Sequence, residues 1–197
     1  MSVSGAMYSQ NVITESISAK GIDKILIDGN QIFQIYVHSE KRTDIKISSK
    51  TDGEYQNGYK IFSELKNGQL YIKLFQTPFF EIPDDKRNAH KVVAATLEVI
   101  MPEYLDMTIR SDIGTVWANG LFKYVIVELF QGACIIKGRV DTALIQTFTG
   151  DITVETQNAS IEAKSNNGLV SVEEYGYQTS HWLLRTIDGN IQVTKPK

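Results

Sequence analysis

Glycine recurs at a fixed interval in the second half of the chain, and no other feature constrains the fold as strongly. Four glycines follow one another every eighteen residues and a fifth comes after twenty-one: Gly114, Gly132, Gly150, Gly168 and Gly189. Apolar residues stand five and seven positions before each glycine, and two and four positions after it. Alternation of this kind is typical of β-strands. The spacing therefore predicts a repeated unit of two short strands joined at a corner, where glycine allows a positive φ.

A unit of two strands cannot bury its apolar side alone, but units stacked about 4.8 Å apart share a continuous core. We therefore predict an all-β protein in which residues 103–195 form a right-handed parallel β-solenoid of about five coils with an eighteen-residue repeat. A left-handed solenoid is the second choice, because it would place an apolar residue at every sixth position. The three extra residues before Gly189 are interpreted as a bulged corner within 174–180.

The first half of the chain also shows strand alternation, without the glycine period. Its strands are separated by pairs that favour tight hairpin turns, namely Asp28-Gly29, Asp52-Gly53, Asn57-Gly58 and Asn67-Gly68. We expect residues 20–102 to form an antiparallel β meander that caps the first coil of the solenoid. Residues 77–91 are predicted to be a long exposed loop. The whole chain, 1–197, is predicted to be one domain.

Composition and charge limit the partners. A net charge of −3 and a pI near 5.6 supply no positive field, so neither nucleic acid nor an anionic membrane is an expected partner. No apolar stretch is long enough for membrane insertion. The single cysteine and an N-terminus without a signal-like run predict a cytoplasmic protein, or a cell-surface or envelope protein if a leader has been removed.

No residue pattern predicts a cofactor or a metal site. His38, His90 and His181 lie on separate segments and have no companion at ligand spacing. Cys134 falls at a predicted inward position and is interpreted as core packing. No nucleophile elbow, phosphate loop or dinucleotide fingerprint occurs.

Polysaccharide-cleaving enzymes with a β-solenoid fold need converging carboxylates. Four residues before the successive glycines the sequence has a polar series: Arg110, Glu128, Gln146, Lys164 and Arg185. Five residues after two of the glycines come Glu155 and Glu173, which simple winding would make neighbours. Like charges on a solvated edge explain such a pair equally well without catalysis. A carbohydrate-active enzyme is therefore the third hypothesis, and no catalytic residue is assigned.

Apolar residues occupy several positions that strand alternation turns outward. We call four of them the outer apolar patch: Ile126, Phe130, Leu144 and Phe148. Leu183 and Ile187 continue the same pattern. A solvated face would be polar here, so the patch predicts a covered or interacting surface. Either residues 1–18 or 77–91 lie over it, or it is an interface with a second copy or another partner.

Several segments resemble the bacterial "putative adhesin" family with β-strand repeats, a family of unknown function that is similar to the head domains of autotransporter adhesins. They are residues 97–102 (LEVIMP) leading into 109–114 (IRSDIG), then 147–154 (TFTGDITV) and 186–191 (TIDGNI). The resemblance implies a β-solenoid and a surface or envelope role, and it brings no catalytic residues with it.

Two hypotheses of function follow. The leading one is a non-enzymatic structural or binding module that presents a rigid β-solenoid surface to a protein or glycan. The alternative is a cytoplasmic scaffold that self-assembles through its open coil ends and the outer apolar patch. The C-terminal Lys195-Pro196-Lys197 argues against the scaffold, because charge and proline oppose the addition of a further strand.

Overall fold

The computed structural model describes residues 11–51, 59–76 and 95–197, and all of the regular elements in them are β-strands. The fifteen strands are β1 (Asn11–Ser18), β2 (Lys24–Asp28), β3 (Gln34–Glu40), β4 (Asp44–Thr51), β5 (Tyr59–Lys66), β6 (Gln69–Gln76), β7 (Ala95–Pro102), β8 (Asp106–Ile113), β9 (Thr115–Gln131), β10 (Cys134–Thr149), β11 (Ile152–Glu155), β12 (Ala159–Ser165), β13 (Val170–Val172), β14 (Ser180–Asp188) and β15 (Ile191–Thr194). The all-β prediction is confirmed. Within the described residues, no helix has the length and hydropathy to cross a lipid bilayer.

The strands form one large mixed sheet, most of it parallel, with two branches. The first ladder has the order β1-β4-β7-β3-β9-β10-β11-β15-β13. The second ladder has the order β5-β6-β2-β8-β9-β10-β14-β12. The long strands β9 and β10 belong to both ladders, because the beginning of each lies in the first ladder and the end of each in the second.

Alternate side chains of the strands point into one hydrophobic core. In the first ladder, Val116, Cys134 and Ile152 lie side by side on β9, β10 and β11, and all three are fully buried. In the second ladder, Ala143 on β10 lies beside the buried Trp182 on β14. Each large apolar side chain buried in this way stabilises the fold by about 2 kcal/mol.

Glycine corners allow the strands to approach closely where the chain turns. Gly132 and Gly150 have φ values of 136° and 150°. A Cβ atom on Gly150 would lie 1.9 Å from the carbonyl oxygen of Gly132, which no side chain can tolerate. Glycine is therefore required at these corners for contact as well as for φ.

The prediction of a plain antiparallel meander in the first half is wrong for β2 and β3. β2 pairs in parallel with β6 and β8, and β3 pairs in parallel with β7 and β9, so both strands belong to the parallel ladders. Asp28-Gly29 turns the chain without forming a hairpin, since the Asp28 carboxylate accepts the Asn30 N–H at 3.1 Å and β2 and β3 do not pair. A turn pair specifies the local bend, whereas the partner strand depends on distant residues.

The antiparallel prediction holds elsewhere in the first half. β1 pairs with β4, β4 with β7, and β5 with β6, all antiparallel. The β5–β6 turn is formed by Asn67 and Gly68, with φ values of 51° and 74°, as the sequence predicts. The pairs Asp52-Gly53 and Asn57-Gly58 and the predicted loop 77–91 lie outside the described residues.

The last strands are not stacked in sequence order, as simple winding predicts. β14 lies between β10 and β12, and β15 lies between β11 and β13, so the C-terminal strands are inserted inside the ladders. The extra residues before Gly189 lie in the corner segment 173–179 between β13 and β14, and this segment returns the chain to the inserted position. The Tyr175 hydroxyl lies 3.1 Å from the carbonyl oxygen of Thr156 and 3.2 Å from that of Thr194, which ties this segment to β11 and β15.

The inserted position of β15 also removes the argument from the C-terminal proline. Pro196 follows a strand that already has neighbours on both sides. It does not lie at the end of the sheet and cannot block the addition of a further strand there.

Candidate functional site

The candidate site lies on the outward surface of the second ladder, where β9, β10 and β14 run side by side. Strand alternation places Phe130, Phe148 and Ile187 at equivalent positions on these strands, with 59, 44 and 37% of each residue exposed. Ile126, Leu144 and Leu183 form a second, half-buried outward row. The structure thus brings all four residues of the outer apolar patch together and extends the patch across three strands.

The two phenylalanine rings are stacked on each other. Their centroids lie 4.9 Å apart and the ring planes differ by 18°. The spacing follows from the distance between adjacent strands, so the sheet itself holds the rings parallel. The pair is an ordered apolar surface whose exposure is set by the backbone.

A row of long polar side chains runs beside the phenylalanines, one on each of five neighbouring strands. In spatial order the row is Arg110, Glu128, Gln146, Arg185 and Lys164. The two rows line a groove of about 840 Å³, to which Asn30 and Asn166 also contribute. The groove therefore combines an apolar wall with a hydrogen-bonding wall, which is the usual composition of a ligand site.

Charge is distributed unequally along the groove. At one end the Arg110 guanidinium pairs with the Glu128 carboxylate. At the other end Arg185 and Lys164 lie next to each other on β14 and β12, and neither has an ion-pair partner among the described residues. Like charges on directly adjacent strands are destabilising unless an anion lies between them. This end of the groove is therefore suited to a carboxylate, sulfate or phosphate group.

A second pair of outward aromatic residues lies on the first ladder, and the sequence analysis missed it. Tyr36 on β3 stacks on Trp117 on β9, with centroids 4.8 Å apart and planes 13° apart. The recess beside them has a volume of about 260 Å³ and is lined in part by His38, Glu98 and Lys137. Trp117 was detectable as an outward residue three positions after Gly114. Its partner was not, because β3 was assigned to a meander.

The carboxylate pair of the enzyme hypothesis does not form. Thr194 lies beside Glu155 and separates it from β13, the strand that precedes Glu173. The Glu155 carboxylate lies 3.5 Å from the Lys137 ammonium, and the Glu173 carboxylate accepts the Lys195 N–H at 2.8 Å. Both acids thus have separate partners, and the expectation that they are neighbours is wrong because β15 is inserted between β11 and β13.

Neither the described histidines nor the cysteine line the groove. His38 is exposed and lies 3.8 Å from Glu40, His181 is an exposed residue of β14, and His90 is outside the described residues. Cys134 is fully buried, and burial raises the pKa of its thiol to about 12. A thiol of this kind stays protonated and unreactive near neutral pH. In the part of the chain that the structure describes, no three histidine, cysteine or acidic residues cluster as a metal site would require.

One of the two segments predicted to cover the outer apolar patch, residues 1–18, lies partly on the first ladder. Residues 11–18 form β1, which pairs with β4 at the far edge of the first ladder. Residues 1–10 and 77–91 are outside the described residues. Within the described chain, nothing shields Phe130, which is 59% exposed.

Comparisons with known proteins give a fold and no sequence relative. No family model matches the chain, and no curated protein matches it. A crystal structure of a "putative cell adhesion protein" from Clostridium sporogenes superposes with a TM-score of 0.68 at 14% identity, over 95% of this chain and 100% of that one. A "putative adhesin" from Bacteroides fragilis has a TM-score of 0.43 at 14% identity, over 94% of this chain and 98% of that one. The resemblance that the sequence predicts is thus confirmed at the level of structure: over nearly its whole length, the chain is similar in fold to a bacterial protein described as a "putative cell adhesion protein".

Proposed function

We propose that this protein is a non-enzymatic binding module of the adhesin type, and that the groove on the second ladder is its ligand-binding surface. The observation that carries the proposal is the exposed row of Phe130, Phe148 and Ile187 beside the polar row. Apolar side chains that strand alternation turns into water are unfavourable for an isolated protein and favourable for one that binds a partner. The likeness to a "putative cell adhesion protein" supports the same class of function.

In our proposal, the scaffold that carries this surface is a right-handed β-solenoid of about five eighteen-residue coils. The registers favour it, since Val116, Cys134 and Ile152 stand at equivalent positions of the predicted repeat and lie side by side. Hydrogen-bonded ladders on both sides of a packed core hold the groove in one shape. A preformed site loses little conformational entropy when it binds.

The chemistry of the groove indicates the class of ligand. An extended polar row matches a polymer with many hydroxyl groups, and the unpaired Arg185 and Lys164 match an acidic group on it. The apolar phenylalanine rings offer contact to the C–H groups of sugar rings. We propose an acidic glycan as the ligand. A protein with an acidic, partly apolar segment is the competing partner.

The test is binding to an array of acidic and neutral glycans, compared between the natural protein and the variant Phe130→Ala/Phe148→Ala. We expect acidic glycans to bind the natural protein, and the variant to lose at least tenfold in affinity, or about 1.4 kcal/mol. Phe33→Ala is the matched control, since Phe33 is 48% exposed but does not line the groove. Equal binding by all three proteins would contradict the groove as the site. Binding only to acidic proteins would replace the glycan by a protein partner.

A self-assembling scaffold remains the second candidate function, favoured by one observation. Leu169, Val170 and Val172, at the edge of the first ladder, are 79, 44 and 37% exposed. Light scattering across a wide concentration range separates the two: a mass that grows without limit supports the scaffold, and a mass that stays finite excludes it.

A further inference from the structure

One end of the sheet has two strands that lack an outer neighbour. Among the described residues, β12 pairs only with β14, and β13 pairs only with β15. The unpaired edges therefore lie together at the same end of both ladders. A strand edge with free N–H and C=O groups is a template for pairing with another strand.

The same end exposes side chains that would be buried elsewhere in the sheet. The two valines of β13 are 44 and 37% exposed, whereas Ile191 and Val193 beside them on β15 are 1 and 0% exposed. Ile161 on β12 is only half-buried, whereas its neighbour Trp182 on β14 is 2% exposed. The core is thus open toward solvent at this end, and the C-terminal residues do not close it because β15 lies one strand further in.

The opposite end is built differently. Its outermost strands, β1 and β5, pair antiparallel with their neighbours, and the Ser63 hydroxyl on β5 donates a hydrogen bond to the Glu15 carboxylate on β1 at 3.1 Å. This contact links the outermost strands of the two ladders across that end. Among the described residues β1 and β5 also lack an outer neighbour, but a side-chain hydrogen bond spans their end. The end formed by β12 and β13 leaves the core-facing valines of β13 exposed and is the better candidate for a new strand.

The outward charges of β12 are complementary to those of a second β12. Glu162 and Lys164 are exposed and flank Ala163, which faces the core side. If two β12 strands pair antiparallel about Ala163, each Glu162 lies opposite Lys164 of the other copy. Opposite charges at directly opposed positions stabilise a strand pair. If the centre of pairing shifts by one residue, Glu162 faces Glu162 of the second copy, or Lys164 faces Lys164 of the second copy. The charges therefore select a single register.

We propose that two copies of this chain associate end to end, with β12 paired antiparallel to β12 of the second copy about Ala163 and the exposed side chains of β13 buried between them. The contact is isologous, since the same surface of each copy meets the other. The contact uses the same end of both copies, so its product is a closed dimer. The proposal does not require the groove to have a ligand, although Lys164 also lines the groove.

The test uses charge reversal, with mass measured by light scattering and sedimentation over micromolar concentrations. We expect the natural protein to be a dimer. In a dimer of Glu162→Lys, two lysine–lysine pairs face each other across the interface, and in a dimer of Lys164→Glu, two glutamate–glutamate pairs do. Each single variant should therefore raise the dimer dissociation constant at least tenfold. The double variant Glu162→Lys/Lys164→Glu restores both ion pairs and should be a dimer again. An equimolar mixture of the two single variants should form a mixed dimer.

Controls separate this contact from folding and from the groove. Circular dichroism of each variant verifies that it is folded, and Glu64→Lys on β5, at the opposite end, should leave the mass unchanged. Phe148→Ala should also remain a dimer. The proposal is overturned if the natural protein is a monomer throughout, if single reversals stay dimeric, or if the double reversal does not recover. Loss of the dimer in Phe148→Ala would place the interface in the groove instead, and mass that grows without limit would show a polymer.

Discussion

The two outward aromatic pairs resemble each other in geometry and differ in their surroundings. Phe130 and Phe148 stack 4.9 Å apart on the second ladder, and Tyr36 and Trp117 stack 4.8 Å apart on the first. The phenylalanines face a groove of about 840 Å³, whereas the Tyr36–Trp117 pair borders a recess of about 260 Å³ in which Trp117 is half-buried. Stacking alone is thus a property of the sheet. Greater exposure and a larger groove distinguish the phenylalanine pair, which we propose as a binding surface, from the Tyr36–Trp117 pair.

Substitution of a corner glycine has the largest expected effect on this comparison. Gly132 and Gly150 each stand two residues after one of the stacked phenylalanines. In Gly132→Ala the new Cβ would lie 2.0 Å from the carbonyl oxygen of Gly114, and φ is 136°. We expect a loss of about 3 kcal/mol in the free energy of unfolding, from backbone strain and displaced strands. Urea denaturation measures it.

Gly176→Ala is the matched control for the corner. No atom lies within 4 Å of the Cβ that this substitution adds, and the free energy of unfolding should change by less than about 0.5 kcal/mol. Equal effects at Gly132 and Gly176 would show that close contact does not hold the corners.

Truncation of one ring in each pair should sharpen the comparison. Trp117→Ala removes a half-buried ring and should lower the free energy of unfolding by about 2 kcal/mol. Phe148→Ala removes a ring that is 44% exposed and should cost less than about 1 kcal/mol. Thermal and urea unfolding of both variants check the order. If Phe148→Ala were the more destabilising change, the groove aromatics would be structural and the binding proposal would lose its main support.

A smaller effect concerns the buried thiol of Cys134 and the pH dependence of stability. Burial raises the pKa of Cys134 to about 12 in the folded protein, whereas a thiol in the unfolded chain ionises near about pH 8.5. A raised acid pKa means that the contribution to stability is complete below the unfolded pKa and is lost as pH rises above it. The natural protein should therefore lose about 1 kcal/mol near pH 9.5 relative to Cys134→Ala at the same pH.

The measurement is the pH dependence of the difference in unfolding free energy between those two proteins. Because other groups titrate identically in both, the difference isolates the thiol. A difference that does not change between pH 7 and pH 9.5 would show that Cys134 is accessible to water in the folded state.

Strand alternation predicted the candidate site better than it predicted the sheet. Phe130 and Phe148 were placed outward correctly, because the side-chain period of two is a local property of an extended chain. The polar series containing Arg110 and Glu128 was likewise visible four residues before each glycine. The spatial order of this series was not visible, because Arg185 is on β14, which lies between β10 and the strand β12 that carries Lys164.

The order of strands is the part that sequence reasoning could not reach. β14 and β12 present the same inward and outward pattern, so alternation alone does not decide which one lies beside β10. The assumption of sequential stacking placed Glu155 beside Glu173, and the enzyme hypothesis rested on that pair. The same limitation hid the Tyr36–Trp117 pair, which joins distant parts of the chain.

By itself, the sequence determined what depends on near neighbours: the extended conformation, the faces of the strands, the glycine corners and the outward phenylalanines. Only the tertiary structure decided which strands are adjacent, that β2 and β3 join the parallel ladders, and that β15 lies inside β13. The physical reason is that strands with the same alternation are interchangeable as hydrogen-bonding partners. The choice among them is made by the lengths of the connections and by how completely the whole core is buried.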